Sequence, residues 1–94
     1  MIFGRATERG RVLARLAIDF VHGEIDADLF EARFLAGWQA APGRRFGQYD
    51  EVLSHIFISV DAYCGDPELR GPDDTDADGM RGEVASFLRA AGLL

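Results

Sequence analysis

Apolar residues recur at helical spacing in four separate stretches of this 94-residue chain, and this pattern limits its possible folds more than any other feature. Side chains three or four positions apart share one face of an α-helix, whereas a half-buried strand requires strict alternation. Alternating patterns in this sequence are no longer than four residues. The sequence therefore predicts an all-α fold, and the mostly short connections favour an antiparallel four-helix bundle.

The first predicted helix covers about 7–22 and stops at Gly23, and the second runs from an N-cap at Asp26 to the Pro42–Gly43 turn signal. The third covers about 49–64, and the fourth covers about 77–91 with Asp76 as its N-cap. Ile58 falls outside the third apolar stripe, which predicts a wide apolar arc and a central position for that helix. The predicted inward-facing residues are Val12, Leu13, Leu16, Ala17, Phe20 and Val21, then Leu29, Phe30, Phe34 and Trp38, then Val52, Leu53, Ile56, Phe57, Val60 and Tyr63 or Cys64, then Met80, Val84, Phe87, Leu88 and Ala91.

Length and composition predict one soluble domain over residues 1–94. Apolar residues make up 48% and charged residues 28%, which is typical of a globular protein. The first eleven residues are too rich in arginine for a secretory signal, and no apolar run approaches the length of a membrane span. A single cysteine, Cys64, cannot form an internal disulfide, so we expect a cytoplasmic protein with no membrane partner.

Negative charge is concentrated in one segment. The chain has 16 Asp and Glu against 10 Arg and no Lys, which gives a net charge of -6. Residues 61–78 hold seven of these acids and one arginine, so this segment alone carries as much net charge as the whole chain. It includes the predicted connection between the third and fourth helices, at about 65–76, and two of the three prolines. These features indicate an exposed acidic loop, which argues against nucleic acid as a partner and favours a basic one.

Catalytic and metal-binding patterns are weak. His55 and Cys64 are nine residues apart on one predicted helix, about 13 Å along its axis, so they cannot form a nucleophile–base pair there. The sequence also has none of the paired Cys or His spacings that bind zinc. We therefore expect no catalytic residues, no metal site and no cofactor.

One calcium-like pattern remains as an alternative. Residues 74–79 read D-T-D-A-D-G, which matches the opening of an EF-hand loop. Such a loop requires a bidentate carboxylate at its twelfth position, and that position is Ala85 here. The pattern is equally explained by Asp76 capping the fourth helix while Asp74 and Asp78 lie near its positive N-terminus.

Tyr63 lies among the clustered acids, and an aromatic side chain surrounded by charge is typical of protein-contact surfaces. The alternative is a solvated acidic loop with no partner, and composition alone leaves both open. The candidate partner-binding residues are Asp61, Tyr63, Asp66, Glu68, Asp73, Asp74, Asp76 and Asp78.

Residues 56–88 resemble the colicin D-type immunity proteins, also described as bacterial self-protective colicin-like immunity proteins. The resemblance rests on three sequence runs: IFISVDAYC at 56–64, DPELR at 66–70, and Asp76 followed by MRGEV at 80–84. Met80 replaces the usual leucine, and the N-terminal half matches less specifically.

The resemblance implies a four-helix bundle that protects its producer by binding the catalytic domain of a nuclease toxin, a tRNA-cleaving one in the colicin D case. The seven carboxylates of the candidate set would then stand in for RNA phosphates in a basic cleft. For Arg70 and Glu83 we expect instead a buried or half-buried ion pair that holds the loop against the fourth helix. The alternative to the toxin role is an acidic helical interaction module with an unrelated basic partner.

Overall fold

The computed structural model describes residues 7–41, 43 and 45–94. Within them, four α-helices follow one another as α1 (Glu8–Val21), α2 (Ala27–Ala40), α3 (Asp50–Ala62) and α4 (Ala77–Ala90). The 3₁₀ turn Gly47–Tyr49 precedes α3, and the described residues form no β-strand. The helices pack as an antiparallel bundle, which confirms the predicted fold class.

Three of the four helices begin at a side-chain cap. The side chains of Thr7, Asp26 and Asp76 each accept a hydrogen bond from the amide three residues later, at 2.9, 2.8 and 2.8 Å. Each cap satisfies an amide that the first helical turn leaves without a partner. The two predicted caps, Asp26 and Asp76, are confirmed. Gly23 follows α1 with φ at +81°, as its predicted role as a helix stop requires.

Aromatic rings fill the core between the helices. The rings of Phe20 in α1 and Phe30 in α2 stack with centroids 4.4 Å apart, and both side chains are fully buried. The other fully buried large side chains are Phe34, Phe46, Leu13, Leu53, Ile56, Met80, Leu88, Val60 and Val84.

The connection between α2 and α3 is fastened by one of these aromatic side chains. Phe46 is fully buried, and its ring lies 5.1 Å from that of Trp38. Its backbone amide donates to the Asp50 carboxylate, and its carbonyl accepts from the Thr7 amide. Pro42, half of the predicted turn signal, lies outside the described residues.

Three residues predicted to face inward, Val12, Leu29 and Ala91, are exposed; Ala91 lies one residue beyond the end of α4. Val12 is 57% exposed and Leu29 is 38% exposed, because each lies at the edge of its helix stripe. Ile58 is 66% exposed, so the prediction that α3 is buried over a wide apolar arc is wrong. The neighbouring Ser59 is buried instead, and its hydroxyl donates to Glu83 Oε1 at 2.8 Å.

Helix α3 ends two residues earlier than predicted. Tyr63 turns into extended backbone, with φ −71° and ψ 132°. The Cys64 amide then donates to the Thr75 carbonyl at 2.9 Å, and the Thr75 amide donates to the Ala62 carbonyl at 2.8 Å. These two hydrogen bonds compete with the next helical turn and close the base of the loop between α3 and α4.

Candidate functional site: an acidic end of the bundle

Antiparallel packing gathers four helix termini at one end of the bundle: the C-termini of α1 and α3 and the N-termini of α2 and α4. Two long-range contacts fix this arrangement. Arg81 Nε in α4 donates to the carbonyl of Phe20 in α1 at 3.3 Å, and the Tyr63 hydroxyl donates to Asp28 Oδ1 in α2 at 2.6 Å. The segment between α3 and α4, residues 63–76, lies at this end and is called the acidic loop below.

Twelve of the sixteen Asp and Glu residues belong to this end of the molecule, which we call the acidic end. All of them are exposed except Asp19 and Glu31, which are half-buried. They are Asp19, Glu24, Asp26, Asp28, Glu31, Asp61, Asp66, Glu68, Asp73, Asp74, Asp76 and Asp78. Sequence reasoning did not place five of them on this surface, although the antiparallel order of the helices already brings the end of α1 and the start of α2 beside the end of α3. The five are Asp19, Glu24, Asp26, Asp28 and Glu31.

Two arginines of the acidic end, Arg70 and Arg81, make contacts directed into the protein, while Arg15 on α1 pairs with the Asp19 carboxylate at 3.1 Å. The Arg81 guanidinium lies 4.8 Å above the ring of Phe20 and also pairs with Asp78 at 3.3 Å. Arg70 is half-buried, and its Nε donates to the Cys64 carbonyl at 3.1 Å. The charge that this end presents to solvent is therefore predominantly negative.

Hydrogen bonds order the acidic loop throughout its length. Besides the two at its base, the Leu69 amide donates to the Asp66 carbonyl at 3.1 Å, and the Asp74 amide donates to the Gly71 carbonyl at 3.2 Å. A loop of this length with adjacent ends and internal turns has the character of an Ω-loop. The expected exposure is confirmed, but the loop is more regular than its two prolines indicated.

Two carboxylates of the candidate set support the loop itself. Asp66 Oδ1 accepts from the Glu68 amide, and Asp74 Oδ2 accepts from the Gly71 amide, both at 2.9 Å. The carboxylates of Asp61, Glu68 and Asp73, by contrast, make no hydrogen bond or ion pair within the described residues. Within the predicted candidate set, these three are the acids most available to a partner.

Tyr63 is half-buried against the core, and its hydroxyl is already used by Asp28. The Asp28 hydrogen bond raises the pKa of Tyr63 to about 12, with smaller contributions from burial and from the charges of Asp28, Glu31 and Asp26. Gly65 lies over this pair, since a Cβ there would be 2.6 Å from the Tyr63 hydroxyl oxygen. Tyr63 thus ties the loop to α2, and its ring is less accessible than its position among the acids indicated.

Charge crowding is visible at the start of α2. Partial burial raises the pKa of the Glu31 carboxyl, and the nearby charge of Asp28 raises it further. A carboxylate with a raised pKa is less favourable in its ionised form, so the fold bears a cost for concentrating acids at this end.

The expected ion pair between Arg70 and Glu83 is wrong. Arg70 reaches the Cys64 carbonyl inside the loop, whereas Glu83 accepts from the buried Ser59 hydroxyl. Each residue therefore has a structural contact, but with a different partner.

The carboxylates of the calcium-like pattern also have separate partners. Asp74 accepts from Gly71, Asp76 caps α4, and Asp78 pairs with Arg81. Across the described residues, no three Cys, His, Asp or Glu side chains are grouped closely enough to hold a metal ion.

The groups considered for catalysis are not arranged as a nucleophile–base pair. Cys64 Sγ lies 3.6 Å from the Asp66 carbonyl at the base of the loop, whereas the His55 ring stacks on Phe87 with centroids 5.2 Å apart. His55 lines a cavity of about 560 Å³ between the start of α3 and the end of α4, at the opposite end of the bundle from the acidic loop.

Over residues 7–41, 43 and 45–94, every helix is too short or too polar to span a bilayer. No curated protein matches the chain. A sequence model of one protein family, described as bacterial self-protective colicin-like immunity, matches residues 11–90. That match covers the acidic loop and all four helices except the first three residues of α1, and the chain therefore belongs to the bacterial self-protective colicin-like immunity family.

Proposed function

We propose that this protein is an immunity protein whose acidic end binds the catalytic domain of a cognate nuclease toxin, most simply a tRNA-cleaving one, and covers its substrate cleft. Family membership supports a toxin inhibitor rather than an enzyme. The structural observation that carries the proposal is the collection of twelve carboxylates at one end of the bundle, with Arg70 and Arg81 directed inward.

The chemistry of a nuclease cleft explains why such a surface would inhibit. A cleft that binds an RNA backbone is lined by cationic side chains, because each phosphate carries a negative charge. Exposed carboxylates at the spacing of a folded loop can pair with those cations in place of phosphates. Charge pairing of this kind also speeds encounter, toward about 10⁸ M⁻¹s⁻¹ at low salt, which suits a protein that must intercept a lethal enzyme.

The order of the acidic loop supports the same role. Its backbone is held by hydrogen bonds at the base and in two turns before any partner arrives. A preordered surface loses less conformational entropy on binding than a mobile one, so more of the interaction free energy appears as affinity.

The test uses the catalytic domain of a candidate nuclease toxin, sought among the genes that neighbour the gene of this chain and purified in an inactivated form, which we call the toxin domain. Its association rate should fall at least about tenfold between ~50 and ~300 mM salt. The triple variant Asp61→Asn, Glu68→Gln and Asp73→Asn should lower the rate about tenfold at low salt and flatten its salt dependence, since it removes three exposed charges without touching the hydrogen bonds of the loop.

The matched control removes three negative charges from the opposite end, through Glu8→Gln, Asp50→Asn and Glu51→Gln. It should change the association rate by less than about twofold at the same salt concentrations. Salt-independent binding, or equal losses in the two triple variants, would refute the acidic end as the docking surface. Binding to a basic protein unrelated to toxins, with none to the toxin domain, would instead favour the alternative of a general interaction module.

A further inference from the structure

We infer that Leu69 is the apolar anchor of the acidic end and inserts into an apolar pocket beside the basic cleft of the toxin domain. This inference rests on the proposed function and deepens it. Leu69 is 74% exposed, the most exposed of the large apolar side chains in the described residues. Single exposed leucines are common on protein surfaces, so the inference depends on how this one is held.

The backbone on both sides of Leu69 is fixed. Its amide donates to the Asp66 carbonyl, which closes a turn, and the next residue, Arg70, is drawn inward by its bond to the Cys64 carbonyl. With Arg70 directed inward, Leu69 is held toward solvent. A flexible loop could fold this side chain back onto the core, where burial of its apolar surface would contribute about 2 kcal/mol. The hydrogen-bonded turn keeps the side chain exposed instead.

The surroundings of Leu69 have the composition of a protein-contact centre. Pro67 and Pro72 are exposed on either side of it in sequence, and both are rigid apolar residues. Around this small apolar group lie Asp66, Glu68 and Asp73, which are exposed acids. An apolar centre with a charged rim is the usual anatomy of a specific interface, in which the centre supplies most of the affinity and the rim supplies steering.

Leu69 also takes the role of anchor that was predicted for Tyr63. Tyr63 is half-buried and its hydroxyl is held by Asp28, whereas Leu69 has no intramolecular packing to lose when it enters a partner. Charge complementarity selects the partner: an apolar pocket surrounded by cationic groups accepts Leu69 and its acidic rim together. A basic nuclease domain with such a pocket beside its cleft fits this surface.

The test compares Leu69→Ala and Leu69→Asp with the unmodified protein, using the same toxin domain. Leu69→Ala should weaken binding about 10- to 50-fold through faster dissociation, with the association rate and its salt dependence unchanged. Val12→Ala is the matched control, because Val12 is also largely exposed but lies on α1 outside the acidic end, and it should leave the affinity unchanged.

Leu69→Asp separates an apolar anchor from a purely electrostatic surface. If charge alone determined affinity, an added carboxylate would speed association and tighten binding; the anchor predicts a loss of at least about 100-fold instead. Both variants should keep the melting temperature of the unmodified protein, since the side chain is 74% exposed and is not packed against the core. Unchanged affinity of Leu69→Ala, or tighter binding by Leu69→Asp, would overturn the anchor while leaving the proposed function intact. Failure of the unmodified protein to bind the toxin domain would refute both.

Discussion

The two longer connections of the bundle lie at opposite ends and are stabilised in opposite ways. The connection between α2 and α3 buries Phe46 completely and packs it against Trp38. The acidic loop fully buries none of its large apolar side chains: Tyr63 is half-buried and Leu69 is left in solvent. The loop is held mainly by backbone and carboxylate hydrogen bonds. A connection that contributes to the core has little surface to offer, whereas one ordered by polar contacts can be rigid and still present its side chains to a partner.

Substitution of Phe46 and of Leu69 should give the largest contrast between the two connections. Phe46→Ala should lower the free energy of unfolding by about 3–5 kcal/mol, because it opens a cavity in the core, whereas Leu69→Ala should change it by less than about 0.5 kcal/mol. Urea denaturation followed by circular dichroism measures both.

Because Phe46→Ala approaches the whole stability expected of a domain of this size, Phe46→Leu provides a milder variant with a loss of about 1–2 kcal/mol. Similar effects at the two positions would show that the acidic loop is packed as tightly as the other connection, and would remove the contrast.

A smaller effect is expected at the tie between the acidic loop and α2. Tyr63→Phe removes the hydrogen bond to Asp28 and should cost about 0.5–1 kcal/mol at neutral pH. The pKa of Tyr63 is raised above its ordinary value of 10.0 to about 12, so its contribution is complete below pH 10 and is lost as the pH rises toward 12. The difference between the two proteins should therefore shrink over that range.

Ultraviolet titration of Tyr49→Phe, in which Tyr63 is the remaining tyrosine, should give a midpoint near 12, as expected for Tyr63. Asp28→Asn in the same background should lower that midpoint, because it removes the charge that favours the protonated phenol. A midpoint near 10 in the presence of Asp28 would mean that the loop is not tied to α2 in solution.

Local sequence patterns were sufficient to predict the four helices and two of their caps, because these depend on neighbours three or four residues apart. The end of α3 was not predictable in this way, because Tyr63 and Cys64 continue the apolar stripe of the helix. Their hydrogen-bond partners are distant in sequence: Thr75 is 11 residues from Cys64, and Asp28 is 35 residues from Tyr63. The ion pair between Arg70 and Glu83 was predicted wrongly for the same reason. Opposite charges favour a pair, but the sequence does not show that the Cys64 carbonyl accepts from Arg70 and that the Ser59 hydroxyl donates to Glu83 instead.

The acidic surface was predicted only in part. A run of acids in 61–78 is evident in the sequence, but the contribution of Asp26, Asp28 and Glu31 depends on which helix termini share an end of the bundle. The role of Leu69 was hidden for another reason, because exposure of one leucine in an irregular segment depends on the turns that hold its neighbours.

Hydrogen–deuterium exchange of the protein with and without the toxin domain tests the central claim most directly, because it reports on both connections in one experiment. We predict slower exchange in residues 61–78 and in the first turn of α2, with no change in residues 45–50. Protection of residues 45–50 without protection of the acidic loop would contradict the account and move the toxin-binding surface to the opposite end of the bundle.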